Sequence, residues 1–563
     1  AVSFWHRLCC SLDRSRMAAL VGVPHLCTRA TILHRMPFGQ TTGLRRLCSF
    51  ALPQRAEGSP HKSWDLMPGP RRWPLIGSLP DFLSHDGANK HPELFKTYFE
   101  KYGSLVRMHT AGPEVVCYDP NAFLEIFRRE GGYPHGMGAE TWPFVRYMKQ
   151  NKYEAVAALV DHGEPWWSMR QKLNPDMFNP SAVASYLPLI NEASTIASGH
   201  IGAAAQDGPL SKFLNCAAFD MFGAFALGYQ AKTVTKTEAD PADLALVEHA
   251  AAAFEIMGRL MRMPQTFAGK PYAAFSSHLD SAFERTGKLA RDAIERNVGK
   301  CDSQGDAGKS SHEVLLDHEA NLEVDSIGTA EAERTQCLVE RLLQRGQLST
   351  AEIEVLMKNF LSAAVDTTAN TMNWIFVNLA ANPDKQDVLY QELSAELAGG
   401  NFTKEKLTKL PYLKACIRES HRLTPVSHMM ARRLQEPMEL GGYDVPAGVM
   451  VYMSTAVVQQ HPAIVQQATE YMPERWLPEA VKARRGTSME VLDHKLIAKP
   501  FSFGPRMCLG ARVADVEILS LLSRVVQDWR FLLDPPGQAY ESKMYLLTRA
   551  TPFPKIRFER RGR

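Results

Sequence analysis

Between Lys358 and Asp384 the chain runs through twenty-five residues with one charged side chain, Asp366. Ahead of that run, Ser349-Thr350-Ala351-Glu352 is a capping box: the Ser349 hydroxyl takes an amide one turn on, and Glu352 reaches back to the Ser349 amide. Asn382-Pro383 ends the segment. The spacing predicts one helix of about 32 residues, roughly 48 Å long. A helix apolar on every side must lie inside a large body of protein. The chain has 563 residues, 45% of them hydrophobic and 22% charged, which supplies such a body. Collagen, extended disorder and a polytopic membrane protein are excluded. Lys+Arg 64 against Asp+Glu 61 leaves no basic excess for nucleic acid.

A carboxylate at the midpoint of a buried helix is costly unless something uses it. Around it stand Ala363-Ala364-Val365-Asp366-Thr367-Thr368. The alanines let a flat ligand approach the backbone, and the threonines can bond back to the preceding turn or leave its carbonyl open. An acid beside a hydroxyl in a dry pocket can relay protons. A core helix with a threonine pair and a snorkelling aspartate accounts for the same residues equally well.

The rest of the chain organises around this helix. Pro68, Pro70, Pro74 and Pro80 make residues 57–80 a stiff, extended connector. Short strands are expected near 104–108 and 114–118, with Gly112-Pro113 as their turn. Residues 121–422 have mainly helical periodicity. Residues 299–331 are polar and Gly/Ser-rich, a solvated surface loop. Beyond Pro425 strands are expected at 438–440 and 449–453, and a last long helix after Cys508. This is a mainly α chain with a small β portion, one large domain over 81–563.

Residues 1–56 carry eight arginines, no lysine and one acid, Asp13, the composition of a mitochondrial transit peptide, with a plastid address as the alternative. Ten cysteines without a Cys-x-x-Cys pair rule out a disulfide scaffold, a zinc ribbon and a c-type haem attachment. Most are expected to be small buried apolar residues.

Cys508 differs. Phe501-Ser-Phe-Gly504-Pro-Arg506-Met-Cys508-Leu-Gly510 is a tight loop, and the next residues have helical spacing. That places Cys508 at a helix N-terminus, where free amides favour a thiolate. Glycines allow close approach of a planar ligand, and Arg506 can reach its anionic group. A thiolate without neighbouring Cys or His ligands suits haem iron better than zinc.

The loop resembles the haem-binding signature of the cytochrome P-450 family, with Phe501, Gly504, Arg506, Cys508 and Gly510 in its fixed places. The resemblance implies the cytochrome P-450 fold around haem b, with Cys508 as axial ligand. It implies an oxygen-binding groove at Ala363 and Ala364, where the family usually has glycine for Ala364, and proton delivery by Asp366 and Thr367. Glu419 and Arg422 resemble the family's Glu-x-x-Arg pair, and Arg475 its later arginine partner. Trp166, Arg170 and Arg432 fall at propionate-binding places, with Arg433 as fallback. The expected activity is insertion of one oxygen atom from O2 into a lipophilic molecule such as a sterol or fatty acid. The alternatives are a hydroperoxide isomerase or peroxygenase on the same fold, and a haem-thiolate sensor. The chain looks most like the mitochondrial clan, in which Lys414 and Arg418 would dock a ferredoxin served by an NADPH-dependent reductase. Ala511 departs from that clan, which often has arginine there. Peripheral attachment to the matrix side of the inner membrane is the implied location.

Overall fold

The computed structural model describes residues 61–562, apart from 86–89, 111, 137–141, 152–161, 236, 262–267, 302–334, 404, 407–408 and 545. The Arg-rich leader and nearly all of the 299–331 segment lie outside the described residues. In chain order the main helices are α1 (His91–Tyr102), α2 (Gly163–Phe178), α3 (Pro180–Asp207), α4 (Leu210–Leu227), α5 (Pro241–Leu260) and α6 (Gly269–Cys301). They continue with α7 (Thr350–Ala381), α8 (Pro383–Leu397), α9 (Pro411–Leu423) and α10 (Ala511–Asp528).

α7 forms as its caps dictate. Glu352 N donates to Ser349 Oγ at 3.2 Å, and Ser349 N donates to Glu352 Oε2 at 2.8 Å. Val365, Ala369, Met372, Phe376 and Leu379 are sealed in the main core, against α4, α6, α9 and α10. Truncating Phe376 to alanine there would cost about 3–5 kcal/mol. α4 is long and apolar enough to cross a membrane, but it is packed inside this core between α3 and α7.

The β portion is small. β1 (Leu105–Met108) and β2 (Glu114–Cys117) form the expected antiparallel pair. With β3 (Met430–Arg433) and β4 (Met450–Met453) they make one sheet, in the order β1-β2-β4-β3. Along β3, Met430 and Arg432 are buried while Ala431 and Arg433 are partly open, the two-residue alternation of a strand.

Two ribbons after α10 were not expected from the sequence: β5 (Trp529–Leu533) pairs β8 (Ile556–Arg560), and β6 (Glu541–Met544) pairs β7 (Thr548–Thr551). They serve α7 directly. The Thr548 carbonyl accepts from Asn370 Nδ2 at 2.6 Å and Trp374 Nε1 at 2.8 Å, satisfying polar groups on a buried helix.

The proline-rich segment departs from expectation at its end. It is extended and turned to Ser78, then becomes a short helix, Leu79–Ser84, with Pro80 in the first turn, where its missing N–H costs nothing. Nor is it a free spacer: Arg107 N donates to Pro68 O, and Ser78 N to His109 O, so it is laid along β1. Cys117, Cys337 and Cys416 are buried thiols, as anticipated.

Candidate functional site

The loop before α10 is drawn tight by its own backbone. Cys508 N donates to Phe501 O at 2.9 Å, and Met507 N to Gly504 O at 3.0 Å. Gly504 holds φ 74°, and a Cβ there would lie 2.9 Å from the Phe127 ring, so both conformation and space demand glycine. Gly510 caps α10 with ordinary φ; a Cβ there would meet no other protein atom within 4 Å, because this wall faces a cavity. Cys508 is exposed by area yet enclosed by the fold: the surface it shows is the cavity's. The expectation of a thiolate favoured by the helix terminus is only half met. Burial pushes the Cys508 thiol up, while the Gly510 amide and Arg170 pull it back less strongly. Desolvation outweighs a helix end, and a coordinating cation is what would remove the proton.

The cavity is about 760 Å³, within the range of ligand-enclosing sites, and mostly apolar. Ala363, Ala364 and Thr367 form one wall, with Phe501 and Gly510 near Cys508. Thr367 Oγ1 donates to Ala363 O at 2.7 Å, the bond back to the preceding turn that its position allows.

Asp366 is not in the wall. On the helical wheel the lining residues of α7 span an arc from Asn359 to Thr368, and Asp366 falls just beyond its edge. Its carboxylate instead stands 3.5 Å from Arg549 Nη2, and burial raises its pKa to about 6 against the pull of Arg549 and Asn215. The acid and the Thr367 hydroxyl are therefore neighbours in sequence without sharing the pocket.

Three guanidiniums reach the cavity. Arg170, one turn after the buried Trp166 on α2, donates Nη1 to Met507 O at 3.1 Å. Its Nε and Nη2 have no hydrogen-bond partner among the described residues, and desolvation lowers its pKa to about 10. Arg506 lies over the Trp166 ring at 4.3 Å, donates to Pro134 O and contacts His162 Nδ1 at 3.1 Å. Arg432 donates to Glu130 Oε2 at 2.6 Å and Phe503 O at 3.3 Å. Arg433, on the other face of β3, donates to Gly448 O and is not among the lining residues. A thiol at the wall, an alanine floor on α7 and a buried guanidinium lacking an anion suit a flat, thiolate-ligated, dianionic group such as haem.

Glu419 and Arg422 on α9 meet Arg475. Arg422 donates Nε and Nη2 to the two Glu419 oxygens, both at 2.9 Å, and Arg475 Nε donates to Oε1 at 3.2 Å. Trp476 Nε1 and Met472 N also donate to this carboxylate. Arg422 Nη1 binds Gln459 O, and Gln459 Nε2 binds Ile497 O, which carries the network to the start of the cysteine loop. Lys414 and Arg418 are both half-buried on the same helix. Arg418 does not stand out as the solvated docking cation expected from its spacing: its guanidinium stacks on Trp476 at 4.2 Å.

Two acids of the site went unread in the sequence. Glu517, one turn beyond the cavity residue Val513, lines the wall, accepts from Thr368 Oγ1 at 3.3 Å, and is pushed up to about 8 by burial. Its signal was an acid at core spacing in an apolar helix. Glu130, the partner of Arg432, is a helix-end acid with no distinguishing pattern.

A model of the cytochrome P450 family matches residues 67–554. Among curated relatives, cytochrome P450 10 of Lymnaea stagnalis is 25% identical over 83% of this chain and 80% of its own. The mitochondrial 1,25-dihydroxyvitamin D(3) 24-hydroxylase of Mus musculus is 26% identical over 83% of this chain and 84% of its own. Cytochrome P450 27C1 of Aquarana catesbeiana is 25% identical over 98% and 99%.

Proposed function

The chain belongs to the cytochrome P450 family of monooxygenases, and on that premise we propose that it inserts one atom of O2 into a lipophilic small molecule bound beside Cys508. The observation that carries this reading is the convergence of Cys508, three guanidiniums and Ala363, Ala364, Thr367 and Thr368 on one cavity. Haem b, held through Cys508, would supply dioxygen binding and thiolate-assisted O–O cleavage.

The chain's own residues do the rest. Arg170, Arg506 and Arg432 would hold the propionates, Arg170 through Nε and Nη2, which have no partner among the described residues. Ala363 and Ala364, with little side-chain bulk on the wall, would leave room for the haem beside α7. Thr367 holds a water with its hydroxyl. Asp366 lies beyond the edge of the wall beside Arg549 and does not touch that water directly. The Glu419–Arg422–Arg475 cluster is structural and fixes the segment that precedes the cysteine loop. Phe222, Phe225 and Phe360 exclude water from the substrate's side.

Electrons come from a ferredoxin-type donor with its NADPH-dependent reductase, steered by Lys414 and the exposed part of Arg418. Relatives named mitochondrial support a mitochondrial location, with residues 1–56 as transit peptide and residues 81–563 as the catalytic domain. Attachment to the matrix side of the inner membrane is peripheral. Leu75, fully exposed at the tip of the Trp73–Gly77 turn, Ile76, Leu66 and Leu83 form its contact, flanked by exposed Arg71 and Arg72.

The test is turnover of a lipid extract by purified protein. With ferredoxin, reductase, NADPH and O2, the label of ¹⁸O2 enters a product. Product from hydroperoxide alone, with none from reductant, would replace the monooxygenase by the isomerase or peroxygenase alternative.

A further inference from the structure

The cavity wall contains polar atoms that haem binding and proton delivery leave unused. His428, between α9 and β3, is 1% exposed and lines the cavity. Its Nε2 is 2.9 Å from His91 Nδ1, and its own Nδ1 meets no donor or acceptor among the described residues. The backbone around it is fixed, since its carbonyl accepts from Ala456 N and Thr455 Oγ1. Beside it Ser427 also lines the cavity, though its hydroxyl already donates to Met429 O at 3.1 Å, and Trp142 contributes an indole Nε1 that has no partner among the described residues. A buried polar atom without a partner is costly, so something in the loaded site is expected to meet it.

The proton shared between the two imidazoles decides what Nδ1 is. If His428 Nε2–H donates to His91, Nδ1 is a bare acceptor; if His91 donates, Nδ1 carries a hydrogen. A hydroxyl, both donor and acceptor, satisfies either arrangement. Burial keeps His428 neutral by holding its pKa well below the usual imidazole value.

Charge separates alcohols from acids. Arg170, Arg432 and Arg506 are the arginines in the described wall, and the described wall has no lysine. Glu130 and the two carboxylates of a haem balance all three. Burial pushes Glu517, the acid in the described wall, up to about 8, which favours its neutral form at neutral pH. A substrate carboxylate would enter an apolar cavity with no arginine or lysine left in the described wall to meet it.

We propose that His428, seated on His91, receives a hydroxyl group of an uncharged lipid, so that this cavity selects alcohols over carboxylates of similar size. The proposal rests on the monooxygenase reading and deepens it, with Trp142 as a second donor for a substrate oxygen.

The experiment is ligand-induced Soret titration of the haem-loaded protein, which reads binding without turnover. The probes are cholesterol against cholest-5-ene, dodecan-1-ol against dodecane, and dodecanoate. The affinity ratio of alcohol to hydrocarbon is compared between wild type and His428→Leu, which cancels the probes' different solubilities. That ratio falls about tenfold in His428→Leu, the worth of one hydrogen bond to a buried group, and His428→Asn recovers part of it. Dodecanoate binds the wild type more weakly than dodecan-1-ol. Should His428→Leu lose haem, His428→Phe, which keeps a ring against Phe95, repeats the comparison. An unchanged ratio, dodecanoate as tight as the alcohol, or failure of both alcohols to bind overturns the proposal. A wild type whose reduced CO complex lacks the thiolate band would sink the underlying functional reading instead.

Discussion

Replacing Glu419 by glutamine should cripple the fold while changing almost no volume. The Glu419 carboxylate is fully buried and accepts from Arg422 Nε and Nη2, Arg475 Nε, Trp476 Nε1 and Met472 N. Glutamine keeps one acceptor oxygen but turns the other into a donor that faces guanidinium donors. It also removes the negative charge, leaving Arg422 and Arg475 buried at 0% and 6% exposure without a counter-ion. Breaking one buried ion pair costs about 3–5 kcal/mol. Two guanidiniums share this carboxylate, so about 4 kcal/mol is a floor, nearly a thousandfold in the folded ratio. That is a large part of the roughly 5–15 kcal/mol that holds a domain together. Urea titration followed by tryptophan fluorescence, together with retained haem absorbance, reads the loss. A Glu419→Gln protein that keeps its haem and loses less than about 1 kcal/mol would refute the claim that this cluster holds the segment before the cysteine loop.

Other perturbations separate the remaining parts. Thr367→Ala should keep haem and substrate binding yet divert NADPH electrons to peroxide, read as a several-fold fall in product per NADPH; unchanged coupling would remove Thr367 from proton delivery. Glu517 has a pKa near 8 in the folded protein against 4.5 unfolded, so the folded state holds a proton that the unfolded chain has lost between those values. Stability therefore falls as pH rises across that window, and Glu517→Gln should gain on the wild type between about pH 5 and about pH 8. Parallel urea midpoints at both pH values would contradict it. Leu75→Ser with Ile76→Ser should weaken co-sedimentation with anionic vesicles several-fold and leave bulk stability within about 0.5 kcal/mol, since both residues are exposed. Equal sedimentation would place the membrane contact elsewhere.

What the sequence disclosed was local. The α7 caps, the Gly112-Pro113 hairpin and the cysteine loop each depend on neighbours within a few residues, and each stands where the pattern put it. Partners distant along the chain were harder. Arg549 beside Asp366, and Thr548 satisfying Asn370 and Trp374, depend on the ribbon of β6 and β7, too short and polar to announce itself as strands. Helical phase was the subtler gap: Asp366 and Thr367 are adjacent in sequence, but 100° of rotation per residue puts only Thr367 in the wall. Exposure was misjudged in the opposite way at Arg418, since spacing can show that two cations share a helix face but not that Trp476 covers one of them. Burial likewise overrode a rule of thumb at Cys508, where desolvation exceeds the help of a helix end.

The most direct test is the spectrum of the reduced, CO-bound protein beside that of Cys508→Ala. Coordination by sulfur predicts a strongly red-shifted Soret band in the wild type that vanishes in the variant, even where haem is retained. A wild type without that band, or a variant that keeps it, would contradict the assignment of Cys508 and with it the placement of every group around the cavity.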